Sequence, residues 1–176
     1  MPTINLLPYE QSFLQAFIDW RNQPLSIRHN PLKKMSDQEI AKMLRDEGTD
    51  LYDLRKHESF RWFISIDGQV VGTVSLKNIS HSMSHGEIGY GTSESHQGKG
   101  ITTAALRVLI EKIFTESTLR RLLAYVHGEN HASRRVLEKL GFQEEGFLRE
   151  HYLINGTPVN EVLYGLLKRE WVNGDR

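Results

Sequence analysis

The chain has 176 residues, 39% apolar and 25% charged, enough for one domain with a proper core, expected to span residues 1–176. Lys+Arg and Asp+Glu both number 22, so no chain-wide charge argues for direct nucleic-acid binding, although Arg120-Arg121 and Arg134-Arg135 are local basic pairs able to meet phosphate. Cysteine is absent, which excludes disulfides, thiol catalysis and cysteine metal sites, and with no signal pattern and no apolar run of about 18 residues the expectation is a cytoplasmic protein without a membrane partner.

Residues 3–7 are a short strand candidate, stopped by Pro8. Residues 9–21 read as a helix, with Phe13, Phe17 (or Ala16) and Trp20 at three- and four-residue spacing. Residues 22–31 carry two prolines and little periodicity, so a loop is expected. Ser36-Asp37-Gln38-Glu39 is a capping-box pattern, and the helix that it opens carries Ile40, Met43 and Leu44. Residues 48–59 are polar and give no clear element.

Residues 60–66 and 69–76 alternate around Asp67-Gly68, a hairpin signal. Residues 78–84 are read as a polar turn. Residues 86–92 form a third strand with glycines at 86, 89 and 91, which mark a bulge or a close approach of ligand or backbone. A helix over residues 101–114 presents Ile101, Ala105, Val108, Leu109 and Ile113 as its apolar stripe. Residues 121–126 are a strand. A turn at Gly128-Glu129-Asn130 leads into a helix over residues 131–140, ended by Gly141. Residues 142–154 and 159–167 make a second hairpin across Asn155-Gly156. The sum is an α/β (mixed α+β) fold of six to seven strands and about four helices. Its two central strands, ending near Thr92 and Val126, run parallel.

Between strand and helix stands Ser95-His96-Gln97-Gly98-Lys99-Gly100-Ile101-Thr102-Thr103. Gly98 and Gly100 lack a Cβ, so backbone amides can approach a ligand closely. The first amides of the next helix have no intrahelical partner and its dipole favours an anion, to which Lys99 adds charge. A phosphate or pyrophosphate is the natural guest, and a plain glycine-rich turn is the alternative. The ATP-type loop pattern fails because Gly100 follows Lys99 and Ser93 stands five before Gly98. The dinucleotide pattern fails because Thr103 occupies its third glycine. What remains is Gln97-x-x-Gly100-x-Thr102. Downstream, Asn130, Ser133, Leu137 and Leu140 share one helix face. Ser133 therefore points inward, unless it bonds back to a carbonyl and Asn130 serves only as a cap.

The first pattern resembles the pyrophosphate loop of the GNAT acetyltransferases, Gln/Arg-x-x-Gly-x-Gly/Ala, from which Thr102 departs at the last position. The second resembles that family's Asn-x-x-Ala/Ser motif ending in Gly-Phe. Glu87-Ile88-Gly89-Tyr90, Gln97 to Ala105, Asn130-His131-Ala132-Ser133 and Leu166 to Trp171 are similar to the RimJ/RimL branch, which includes ribosomal-protein N-terminal acetyltransferases. The resemblance implies a mostly antiparallel sheet whose parallel central strands splay around the cofactor. It implies acetyl-CoA as co-substrate, no metal, and an amine acceptor that is a protein N-terminus or a small amine; a homodimer is common in this branch.

The same resemblance implies that Gln97, Gly98, Lys99, Gly100, Ile101 and Thr102 hold pyrophosphate, that Asn130 bonds the pantetheine arm, and that amides near Gly91 and Thr92 hold the oxyanion. Leu137 stands where many members carry a tyrosine, so Ser133 is the candidate for the departing thiolate. Without cysteine, transfer is direct. Glu87 is a candidate base, directly or through water, or else a structural strand carboxylate. Trp62 and Tyr90 are candidates for the acceptor site, with core packing as their alternative. A non-catalytic acyl-CoA-binding module is the reading of another class.

Overall fold

The computed structural model describes residues 3–30 and 32–173. Seven strands form one sheet: β1 (Ile4–Leu7), β2 (Phe60–Ile66), β3 (Gln69–Ser80), β4 (His85–Thr92), β5 (Arg121–His127), β6 (Gln143–Ile154) and β7 (Thr157–Leu167). Their spatial order is β1-β2-β3-β4-β5-β7-β6. Among the described strands only β4 and β5 pair in parallel. Both predicted hairpins are present. Asp67 and Gly68 have φ of 49° and 83°, and Asn155 and Gly156 have 50° and 81°, the left-handed pair that a two-residue hairpin needs to match strand twist.

Six helices are described: α1 (Leu14–Arg21), α2 (Pro24–His29), α3 (Asp37–Asp46), α4 (Ile101–Glu116), α5 (His131–Lys139) and α6 (Lys168–Asn173). The expected count of about four missed the two six-residue helices. Residues 22–31 are thus not all loop: Pro24 opens α2 at a position where its missing N–H is harmless. Pro31 lies outside the described residues. Further differences are boundaries. The first predicted helix begins as a 3₁₀ turn, Gln11–Phe13, and β3 runs on to Ser80 through part of the expected turn.

Alternation along β2 divides the core. Phe60, Trp62 and Ile64 face a large cluster with Ala105, Leu106, Leu109, Ile110 and Ile113 of α4, whereas Phe63 faces Phe17 of α1 and Ile40 and Leu44 of α3. Phe13, Phe17 and Trp20 surround the Phe63 ring at centroid distances of 5.1, 6.0 and 6.4 Å. The apolar stripe of α4 needs one correction. Val108 is 44% exposed, while Leu106, Ile110 and Phe114 are buried. The row Ile101, Ala105, Leu109, Ile113 has apolar neighbours on both flanks, and only the sheet selects the flank that is covered.

The pairing of β4 with β5 positions the site. It holds for His85, Gly86 and Glu87 against Arg121, Leu122 and Leu123, and then stops. Beyond Glu87 the two strands separate, and α4 and α5 begin just past their C-terminal ends. A crevice at the strand ends of a sheet is where α/β folds take ligands.

Candidate active site

The turn after β4 starts with a 3₁₀ segment, Glu94–His96, in which the Gln97 N–H donates to the Glu94 carbonyl at 3.3 Å. That takes up one of the amides expected to face a ligand. Free donors instead begin at Gly98 and run to the first turn of α4, whose ladder starts with Ala104 N–H on the Gly100 carbonyl at 3.0 Å. Gly98 and Gly100 have φ of 72° and 76°, and a Cβ built on either meets nothing within 4 Å. Their left-handed backbone explains the residue type, and the space around them is open. Ile101 is buried; Thr102 Oγ lies 3.2 Å from Thr92 Oγ, tying the helix start to the end of β4. Lys99 Nζ donates to the Ser95 carbonyl at 2.9 Å, and Gln97 Nε2 reaches the Thr92 carbonyl at 3.4 Å.

Strand β4 turns its backbone in alternation. Ser93 N–H donates to Val71 O at 2.8 Å, and the Gly91 carbonyl lies against Gly72 of β3. Gly91 therefore directs its N–H to β3, while Tyr90 and Thr92 direct theirs toward the side on which β5 has separated. Of the two amides expected near an oxyanion, that of Thr92 points to the open side, as does that of Tyr90, whereas that of Gly91 points to β3. The strand glycines also resolve. A Cβ on Gly86 would strike Leu76 and one on Gly89 would strike Ser75, so both are close-packed; Gly86 also stands opposite the irregularity in β3 between Lys77 and Ser80, as the bulge reading expected.

Across the splay, Asn130 caps α5, its Oδ1 accepting from Ser133 N–H at 3.0 Å. The capping half of the alternative is thus observed, and it leaves the Asn130 Nδ2 protons free to donate elsewhere. Ser133 does not bond back into its helix. Its Oγ lies 2.7 Å from the Tyr90 hydroxyl, which also sits 3.4 Å from the Ser133 carbonyl. Burial pushes the Tyr90 phenol above its ordinary range, more than the Ser133 hydrogen bond lowers it. The sequence identified Ser133 but not its partner. The signal was available in register: Tyr90 shares the inward face of β4 with Ile88.

Other expected site residues fall elsewhere. Trp62 is 3% exposed within the core cluster; it packs, and its expected place at the acceptor is corrected. Glu87 lies on the opposite face of β4 from Tyr90. Lys77 Nζ is 3.0 Å from its Oε1, and Asn78 donates to its Oε2 at 2.7 Å. With both oxygens held, the structural alternative fits Glu87 better. One member of each basic pair is also engaged: Arg121 with Glu145, and Arg134 with Glu144 and the Tyr164 hydroxyl.

A glycine turn at a helix start, facing a capped serine helix across splayed parallel strands, is the arrangement that the motifs foreshadow. The family described as acetyltransferase (GNAT) domain matches residues 3–143. The chain belongs to the GNAT acetyltransferase family. YdaF of Bacillus subtilis, whose name places it among ribosomal N-acetyltransferases, is 43% identical over 105 residues, 60% of this chain and 57% of that protein. The spermidine N(1)-acetyltransferase of Escherichia coli K12 is 31% identical over 128 residues, 72% of this chain and 69% of that one. Among solved structures, Mycobacterium smegmatis RimJ in complex with CoA-disulfide is 27% identical, with a TM-score of 0.83 over 95% of this chain and 83% of that one. The GNAT chain spans 57%, 58% and 65% of the first three curated relatives. No helix among its described residues is long and apolar enough to cross a membrane.

Proposed function

We propose that this GNAT chain is an N-acetyltransferase that moves acetyl directly from acetyl-CoA to a primary amine, with a protein or peptide N-terminal α-amine as acceptor. The observation that carries the reading is Ser133 Oγ facing β4 across the separated strands, while the glycine turn opens α4 on the same side. Gly98 and Gly100, with no side-chain atoms where phosphate would lie, fit the diphosphate, and Asn130 Nδ2 is available to the pantetheine arm. Bound acetyl-CoA supplies the acetyl group on a thioester. The amides of Tyr90 and Thr92 then donate to its carbonyl oxygen as charge develops there, and Ser133 donates to the departing sulfur.

The acceptor reading rests on proton energetics and on relatives. An α-amine, with a pKa near 8, is neutral at a cost of about 0.5–1.5 kcal/mol near pH 7, against about 4–5 for lysine. With Glu87 engaged by Lys77 and Asn78, a site that hands the amine proton to water suits the weaker base. A polyamine acceptor is the second reading, favoured by the relative named for spermidine.

The test is acetyl transfer on a panel of N-terminal peptides and polyamines, with wild type beside Ser133→Ala. The expected outcome is turnover on peptides, reduced about 10- to 100-fold in the variant, the effect of one hydrogen bond to a charged sulfur. Coenzyme A affinity, measured by calorimetry, should change less than about twofold. Equal loss of both would contradict the serine's role, and turnover on polyamines alone would select the second acceptor. Binding without turnover on any amine would leave only a CoA-binding module.

A further inference from the structure

A serine hydroxyl has one proton. In the free protein Ser133 Oγ and the Tyr90 hydroxyl are 2.7 Å apart, and the Tyr90 oxygen also lies 3.4 Å from the Ser133 carbonyl. Two hydrogen-bond orders satisfy this geometry. In one, Ser133 donates to Tyr90, and Tyr90 to the carbonyl across the longer distance. In the other, Tyr90 donates to Ser133 along the 2.7 Å contact, and the Ser133 proton is released to a third partner. An anion beside Ser133 selects the second order, since each donor in a chain of hydrogen bonds polarises the next toward the charge.

We propose that Tyr90 is a positioning residue for the leaving sulfur: its hydroxyl donates to Ser133 Oγ and thereby turns the single Ser133 proton onto the thiolate as the carbon–sulfur bond breaks. The inference rests on the acetyl-transfer reading above. In the step, the amine nitrogen bonds to the acetyl carbon, and the electron pair of the carbon–sulfur bond goes to sulfur. The amine's proton leaves to water, and the thiolate takes its proton from water afterwards. Tyr90 and Ser133 lose none. Tyr90 suits that duty because its burial opposes ionisation, so it remains a donor throughout the working range.

The phenol that meets Ser133 comes from the sheet and not from its own helix. Leu137 is fully buried where the resemblance leads one to expect a tyrosine on α5. The phenol reaches Ser133 from β4 instead, a strand paired continuously to β3 from Glu87 to Thr92.

The experiment compares wild type, Tyr90→Phe, Ser133→Ala and the double variant. Three readouts are used: steady-state kinetics, calorimetric affinity for coenzyme A, and the thiolate absorbance of bound coenzyme A titrated against pH. Tyr90→Phe should lower kcat about tenfold with KM for acetyl-CoA and coenzyme A affinity unchanged. It should also shift the thiolate-to-thiol ratio of bound coenzyme A about tenfold toward thiol. In the Ser133→Ala background the same change should do nothing further, because Tyr90 acts through Ser133. Fluorotyrosine at position 90, a stronger donor of the same shape, should shift the ratio the other way, and it keeps the test available if Tyr90→Phe folds poorly. Multiplicative losses in the double variant, an unmoved thiol titration, or a weakened coenzyme A affinity would each overturn the inference. A normal Tyr90→Phe beside an impaired Ser133→Ala sinks this inference alone. A normal Ser133→Ala removes the serine role beneath it as well.

Discussion

Gly100 shows how much one residue type carries. Its φ of 76° lies in the left-handed region, and a Cβ there meets no protein atom within 4 Å. Gly100→Ala should therefore cost only the backbone strain, about 1 kcal/mol in thermal unfolding. Coenzyme A affinity should fall at least tenfold by calorimetry, because the added methyl occupies the space that the turn leaves for phosphate. Equal and small effects on both would mean that the turn binds no diphosphate. The glycine pattern itself was legible. Which amides remain available was not, because the bond from Gln97 to Glu94 closes only when the 3₁₀ segment forms.

At the scale of the element, α3 illustrates a local signal that survives intact. Ser36 Oγ accepts from Glu39 N–H at 3.3 Å, and the Ser36 N–H donates to Glu39 Oε2 at 2.7 Å. Ser36→Ala should lower stability by about 1 kcal/mol in urea titration. The backbone bond from Ser36, and then its hydroxyl, hold the Glu39 carboxyl below its usual range. A depressed carboxyl contributes stability that is complete above the unfolded value, near 4.3, and fades as pH falls through the folded value. Acid unfolding of Glu39→Gln should lack that component, so its stability and that of wild type should converge as the pH drops below about 4. Helix α2 is the contrasting element. Six residues with an internal sequence of mixed character carry no periodicity, and its capping partner is remote: Leu25 N–H donates to Glu94 Oε1 at 2.9 Å, while Glu94 N–H donates to Gln23 Oε1 at 2.9 Å.

Those two bonds matter for the whole molecule. Glu94 follows β4, and the other end of α2 meets the end of β5, with the His29 and His127 rings 5.2 Å apart and the Tyr152 hydroxyl 3.4 Å from the His29 carbonyl. Helix α2 thus straps together the C-terminal ends of the two strands that separate beneath it. Glu94→Ala removes the bond at one end of the strap. Taking α2, which bridges the gap between those strand ends, as a wall of the acceptor site, the acceptor KM should rise several-fold, while coenzyme A affinity, set by the turn and by α5, should stay within about twofold. A loss of coenzyme A affinity as large as the rise in KM would place α2 on the cofactor side instead.

The sequence by itself determined whatever depends on neighbours along the chain. Hairpin turns at Asp67-Gly68 and Asn155-Gly156, the Ser36 cap, the Gly141 stop and the glycine turn before α4 each follow from the φ, capping and donor properties of a few adjacent residues. The family followed as well, since its motifs are local. Tertiary structure alone decided matters that require two distant segments. It selected the covered flank of α4, left Trp62 in the core, engaged Glu87 with Lys77, and met Ser133 with a hydroxyl 43 residues away. Periodicity states which residues can share a face. Which partner lies across that face is a property of sheet order and register, and no single segment contains it.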